Sequence, residues 1–196
     1  KDRYYINMAA SFAYDTYDTS RQIAIGSLGY TATAKFNGQE YLGYVESGYS
    51  FQIQKFNLTP VVSFEYAHLH TADYTENGAG VLNLKTDSQD YDVAQTGLGF
   101  KLNYPLATKY GTFIPEARIK WLYDWVGDNQ QATSTFTGGG GSFNTTGFTP
   151  AQSSYAFGIK LTLITKHNFT VSANYDFELK EDFYAHYGYL NAKYSF

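Results

Sequence analysis

The chain has 196 residues, enough for one domain, and carries 20 Tyr and 15 Phe against only 16% charged residues, with a formal net charge of −4. The acidic balance excludes a basic nucleic-acid-binding domain, the lack of Cys excludes a disulfide framework and Cys-based metal or redox sites, and the aromatic content excludes disorder. No apolar run approaches the roughly 18 residues of a transmembrane helix. Lys1-Asp2-Arg3 leads into Tyr4-Tyr5-Ile6-Asn7 rather than the apolar core of a signal peptide, so a start without Met reads as a mature or excised piece.

Alternation of apolar and polar residues, the mark of strands with one apolar face, runs along the chain. Residues 3–15 set Tyr4, Ile6, Met8, Ala10, Phe12 and Tyr14 against Asn7, Ala9, Ser11 and Ala13. Residues 22–36 do the same with Leu28, Tyr30, Ala32, Ala34 and Phe36, and residues 40–54 with Tyr41, Val45, Tyr49, Phe51 and Ile53. The pattern continues over residues 58–70, with Val62, Phe64 and Tyr66 on one face, and 91–104, with Leu98, Phe100, Leu102 and Tyr104. Residues 111–126 carry Phe113, Ala117, Ile119, Trp121, Tyr123 and Trp125, and residues 154–163 carry Tyr155, Phe157, Ile159, Leu161 and Leu163. Residues 169–178 and 184–196 end the series, the last with Tyr184, Leu190, Ala192, Tyr194 and Phe196 on the apolar face.

These segments run to about 10–15 residues, well beyond the 5–6 common in soluble proteins and enough for the roughly 9–11 that a tilted strand needs to cross a bilayer. Their polar faces mix charge with small residues such as Gly48, Gly97, Gly99 and Gly158, which suits a crowded wet interior with apolar residues facing lipid. Tyr4, Tyr14, Tyr41, Tyr104, Trp125, Tyr155 and Tyr184 gather near segment ends, like interfacial girdles. The expected fold is an all-β, antiparallel transmembrane β-barrel of about nine strands, forming one domain over residues 1–196. Short polar turns are expected at 17–20, 55–57, 105–109 and 165–168, and an external hairpin at Asn37-Gly38-Gln39. The longer connections, 71–90 and 127–153, are the external loops. Single-chain bacterial barrels have even strand numbers, so an odd count calls for missing N-terminal strands; about three more would make twelve.

Glu46-Ser-Gly-Tyr49, Leu58-Thr-Pro60, Tyr74-Thr-Glu-Asn-Gly-Ala79, Leu82-Asn-Leu84, Gly97-Leu-Gly-Phe100, Ile114-Pro-Glu-Ala-Arg118 and the closing Leu190-Asn-Ala-Lys-Tyr-Ser-Phe196 follow one another in an order that resembles the C-terminal translocator barrel of classical autotransporters (type V secretion). Asn191 departs from the small residue that many members carry, and by the resemblance the family's first three strands and linker helix are expected to be missing from the chain. The resemblance implies a protein of the bacterial outer membrane that supports export of an N-terminal passenger, with a linker segment threading the pore. It also implies that Tyr74-Thr-Glu76 tucks into the barrel mouth. The expected pore-lining residues are Glu46, Glu65, Lys101, Glu116, Arg118, Lys120, Lys160, Asp176, Glu178 and Lys193, which either pair across the lumen or meet the threaded segment. Leu190, Tyr194 and Phe196 resemble the terminal-strand signal read by the barrel-assembly machinery, for which an unpaired edge strand is a template. Expected partners are therefore outer-membrane lipid, that machinery, the chain's own passenger and linker, and another chain at the open edge of the first strand.

The chain has no HExxH, GxSxG or Walker sequence, so no enzymatic activity and no cofactor is expected. His68 and His70 share a strand face without a placed third ligand, a weak basis for a metal. Thr137-Gly-Gly-Gly-Gly-Ser142 reads as a low-complexity loop tip or an engineered linker. The alternative reading is a small self-contained outer-membrane barrel whose external loops bind a ligand or host surface.

Overall fold

The computed structural model describes residues 3–127, 129–147 and 149–195. In chain order the strands are β1 (Tyr4–Ile25), β2 (Leu28–Tyr49), β3 (Phe51–Ile53), β4 (Phe56–Thr71), β5 (Tyr74–Thr75), β6 (Leu84–Thr86), β7 (Gln89–Asn103), β8 (Leu106–Thr108), β9 (Gly111–Asp124), β10 (Gln131–Phe136), β11 (Phe143–Thr146), β12 (Ser153–Thr165), β13 (Phe169–Lys180) and β14 (Phe183–Tyr194), with one 3-10 turn at Gly80–Leu82. The main sheet is antiparallel throughout, in the order β1-β2-β4-β7-β9-β12-β13-β14, with β3 and β8 as short hairpin extensions. Long loops 72–88 and 125–152 together build a second sheet, β11-β10-β6-β5.

The all-β, antiparallel barrel architecture expected from alternation is present, but the nine predicted segments occupy eight long strands. Residues 28–36 of the first of these segments and 40–49 of the next belong to one 22-residue strand, β2, while residues 22–25 end β1 and 51–53 form β3. Asn37-Gly38 is not a hairpin: Thr16 faces Asn37, and Gly38 lies between Asp15 on β1 and Thr71 on β4. Backbone pairing on both sides outweighs a local turn preference. Gly38 instead makes room for Tyr17, whose Cε2 would lie 2.8 Å from an added Cβ. The predicted turn at Tyr17–Ser20 is likewise continuous β1. The hairpin closes at Gly26-Ser27, where Gly26 adopts φ +62, the positive angle that a two-residue loop needs at its first central position. Eight is even, so the parity argument for three further strands falls away.

Asn7, Glu46, Ser63, Gly97, Leu122, Ser154 and Lys180 face one another in turn through the cross-strand registers, and Tyr5, Lys120, Ala156 and Glu178, each two positions along its strand, share that face. On a flat sheet, β2 and β14 would stand about 29 Å apart at roughly 4.8 Å per strand. Residues from both line a single cavity, so the sheet curls with its polar face inward. Among the described residues no ladder joins β1 to β14, which form the two edges of this curled half-barrel.

Burial is inverted relative to a soluble protein. Among the described residues the buried apolar ones are only Ala32, Ala34, Val61 and Ala79, whereas Glu46, Glu76, Asp124, Asn174 and several Ser and Thr are buried. Met8 is 76% exposed and Leu190 80%, and Ile6, Phe64, Phe100, Ile119, Ile159 and Leu161 join them on the convex face. An apolar surface on this scale needs a bilayer. Toward the external end the belt passes from Val62 and Phe64 through Tyr66 to His68 and His70 on β4, and from Ile119 through Trp121 and Tyr123 on β9 to Trp125 just past its end, the aromatic-then-polar order of a membrane interface.

Ile159→Lys, on the convex face of β12, should destabilise the folded barrel by about 2–4 kcal/mol in lipid vesicles, the cost of a lysine near the bilayer midplane. Thr162→Lys on the concave face should cost less than about 1 kcal/mol. Equal costs in a denaturant titration would show that the convex face does not contact lipid.

Candidate functional site

The concave face holds a cavity of about 620 Å³ lined by Glu46, Glu65, Lys101, Arg118, Lys120, Asp176 and Glu178, with Tyr187 and Tyr189 on its far wall. Its centre is Glu46, a carboxylate only 4% exposed. Tyr5 and Lys101 donate to Glu46 Oε1 at 2.9 and 2.5 Å, and Tyr44 and Lys120 donate to Oε2 at 2.9 and 2.5 Å. Each lysine also donates to the neighbouring phenol, Lys101 to Tyr5 and Lys120 to Tyr44, both at 3.0 Å. One side chain thereby ties β1, β2, β7 and β9 together. A buried carboxylate without such donors would cost several kcal/mol.

Glycines let the long side chains lie flat on the wall. Tyr5 crosses Gly48, where an added Cβ would fall 2.6 Å from Tyr5 Cε1, and Lys120 crosses Gly99, where the gap would be 2.7 Å to Lys120 Cγ. Arg118 spans β12 to reach Asp176 on β13, with Nε to Oδ1 at 2.9 Å and Nη2 to Oδ2 at 2.7 Å. This two-point geometry is the strong form of an arginine–carboxylate contact. It passes directly over Gly158, whose added Cβ would lie 2.2 Å from Arg118 Nε and 2.4 Å from Asp176 Oδ1. Glu116 sits 3.5 Å from Arg118 Nη1.

Of the residues singled out from sequence, Glu46, Lys101 and Lys120 form one cluster, and Glu116, Arg118 and Asp176 a second. Glu65 and Glu178 line the same cavity outside both clusters. Lys160 lies on the concave face opposite Glu116 and Asn174, and Lys193 opposite Thr170. Tyr5 and Tyr44 were missed because tyrosine counts as apolar in an alternation, although their odd–even positions place them on the polar face. Leu190 and Tyr194 are exposed on the convex face of β14, the last strand of the sheet; Phe196 lies outside the described residues.

The external side carries a second constellation. Glu76 is buried and accepts from Arg21 Nε at 3.0 Å, from Arg21 Nη2 at 2.5 Å and from the Leu84 backbone N–H at 2.8 Å. Arg21 also donates to the Leu82 carbonyl at 2.8 Å. Thr33 on β2 and Asn77 exchange both backbone hydrogen bonds at 2.8 Å. Tyr74 stacks on Phe36 with ring centres 4.3 Å apart, and Phe36 in turn on Tyr17 at 5.1 Å. Gly78, at φ +104, passes so close to Thr31 that an added Cβ would lie 2.5 Å from its carbonyl oxygen. The loop is thus latched to the concave side of the β1–β2 hairpin where it projects beyond β4. The Arg21 guanidinium, helped by the Leu84 N–H, holds the Glu76 carboxyl below its ordinary range.

An autotransporter beta-domain family model matches residues 1–176. Outer membrane protein A of Rickettsia conorii (strain ATCC VR-613 / Malish 7) is 23% identical over 173 residues, covering 87% of this chain and 8% of that protein. An extracellular serine protease of Serratia marcescens is 22% identical over 120 residues, 61% of this chain and 11% of the relative. The chain therefore spans only about a tenth of the length of the curated relatives it matches.

Removing the hub carboxylate strands two largely enclosed lysines, so Glu46→Ala should destabilise the barrel by about 3 kcal/mol in equilibrium unfolding. A loss under about 1 kcal/mol would mean that the cluster does not hold the four strands. Because the folded Glu76 carboxyl is depressed, its contribution is complete above the ordinary carboxylate range and is lost as pH falls through the folded value. Exchange of the Leu84 and Asn77 amide protons, corrected for intrinsic rates, should therefore accelerate only at acid pH. In Glu76→Gln it should be about tenfold faster near neutrality and pH-independent.

Proposed function

The chain belongs to the autotransporter beta-domain family, and on that premise we propose that it supports export of an N-terminal passenger carried upstream on the same polypeptide. The domain is an outer-membrane translocator barrel of a Gram-negative bacterium, not a catalytic one. The protease activity in the name of the Serratia relative is a property of that protein.

The observation that carries the proposal is the concave face. A barrel meant only to be sealed needs its lumen filled, yet here the Glu46 and Arg118 clusters lie flat against the wall beside an open cavity of about 620 Å³. Glu65, Glu178, Tyr187 and Tyr189 face that space and offer acceptors and aromatic surface to a polar segment running along the axis. Glu116, Lys160 and Lys193 extend the polar wall toward the periplasmic end. In this reading the linker occupies the cavity after export, and further strands complete the sheet between the edges of β1 and β14. An edge strand presents unpaired N–H and C=O groups that recruit a partner strand. Accordingly β14, with Leu190 and Tyr194, is the strand that docks on the barrel-assembly machinery, and Phe196 of the following sequence belongs to the same signal.

The ordered external sheet favours one second reading, a compact barrel whose loops bind a ligand or host surface. Intact mass of the native precursor separates the two: several hundred residues beyond this chain supports export, and a product barely longer overturns it. In the full-length precursor, deleting Leu190–Phe196 should remove the protein from the outer-membrane fraction. Glu65→Lys with Glu178→Lys should leave insertion intact and lower surface display of the passenger about tenfold or more, as two like charges are set against the threaded segment. Unchanged display would exclude these residues from the export path.

A further inference from the structure

The convex face is not a uniform apolar belt. Register places Ala10, Gly43 and Tyr66 in one row across β1, β2 and β4. The row on the periplasmic side is Met8, Val45 and Phe64, and the row on the external side is Phe12, Tyr41 and His68. Two adjacent strands thus offer a methyl group and a hydrogen where their neighbours offer large side chains. The result is a notch of about 520 Å³ walled by Met8, Val45, Phe64 and Tyr66, within the roughly 300–1,000 Å³ of typical ligand sites. Gly43 has no atom within 4 Å of the position a Cβ would take, so its smallness serves no internal packing and leaves the space open to the outside.

Directly above the notch, on the same face, stands a polar cluster. Tyr66 donates to Asp92 Oδ1 at 2.6 Å, and His68 Nδ1 lies 2.9 Å from the same oxygen. His70 Nδ1 lies 2.6 Å from Asp90 Oδ1, and His68 Nε2 3.7 Å from it. Tyr41 is exposed and its ring centre sits 6.5 Å from that of His68. The cluster is at the external end of the belt, where lipid headgroups lie, with Asp90 exposed and His70 half-buried.

We propose that this notch and the cluster above it form a binding site for one glycolipid of the outer leaflet, with an acyl chain lying over Ala10 and Gly43 and the sugar against Asp90, His70 and Tyr41. The notch is continuous with the lipid-facing belt, so a hydrocarbon chain is the occupant that its position and apolar walls select. The headgroup follows from charge. Two carboxylates repel a bare phosphate, whereas sugar hydroxyls donate to carboxylates, accept from imidazole N–H groups and lay an apolar ring face on an exposed tyrosine. The outward side chains beside the cluster, Gln39 and Tyr41 on β2 and Trp125 just past β9, are uncharged and do not oppose such a headgroup.

Native mass spectrometry of the full-length protein, extracted from its own membrane in mild detergent, tests the site. Wild type should retain one glycolipid per barrel. Gly43→Leu fills the notch and should reduce that adduct about tenfold or more, a change of roughly 1.4 kcal/mol or greater, while heat-modifiable gel mobility reports an intact barrel. Ala10→Leu repeats the test from the neighbouring strand should Gly43→Leu fail to fold. Ala173→Leu, on the convex face of β13, is the matched control and should retain the adduct. Asp90→Ala combined with His70→Ala should exchange glycolipid for phospholipid. Equal retention by wild type and a folded notch variant, or phospholipid alone on wild type, overturns the proposal.

Discussion

A strand in a hydrocarbon layer cannot leave a backbone N–H or C=O unpaired, because no water is there to replace the missing partner and each lapse costs several kcal/mol. That requirement governs this molecule. Between the open edges of β1 and β14 it forces the long strands into one continuous antiparallel ladder, and it drives β1 and β2 through sequence that locally favours turns. It also leaves the side chains to sort by face alone. Apolar residues turn to lipid, polar ones are confined together inside, and the ordinary relation between hydrophobicity and burial reverses, with Met8 and Leu190 outside and Glu46 and Asn174 enclosed.

Confinement of charge then raises a second problem, which the concave face solves by geometry. Charges crowded onto one wall must be matched, yet side chains reaching across the axis would block it. Glu46 collects two lysines and two phenols, and Arg118 takes Asp176, all lying along the wall over Gly48, Gly99 and Gly158. The glycines give the charged residues a floor. Satisfied donors and acceptors fix the curvature from β1 to β9, while the central space stays available for the segment that the proposed export function places there.

Outside the bilayer different rules apply, and the chain changes character. The β1–β2 hairpin continues beyond β4 and buries Ala32 and Ala34 against the loop that carries Tyr74, Glu76 and Ala79. Here water is present, so folding reverts to small apolar contacts, ring stacking and a charged pair whose carboxylate alone is shielded from solvent. The latch and the small sheet built on it organise both long loops as one external layer. On the convex face at the same height, the His68, His70, Asp90 and Asp92 cluster marks the transition from lipid to water.

Fold class and facing were legible in the sequence because alternation is a local property: each residue's neighbours two positions away reveal its face. The face on which the charged residues lie followed from the same rule. Strand number did not, since Asn37-Gly38 carries a real turn preference that only the ladders on both sides of β2 overrule. The Glu46 hub was half visible, its carboxylate and lysines by face and its phenols hidden by a classification of tyrosine as apolar. Which charge meets which, and the pairing of Arg21 with Glu76 across 55 positions, depend on shear and register between strands. The sequence by itself therefore determined that this is an outer-membrane barrel with a charged interior. The tertiary structure alone decided the partners, because a one-residue change of register would leave every strand's composition intact and pair none of them as they stand.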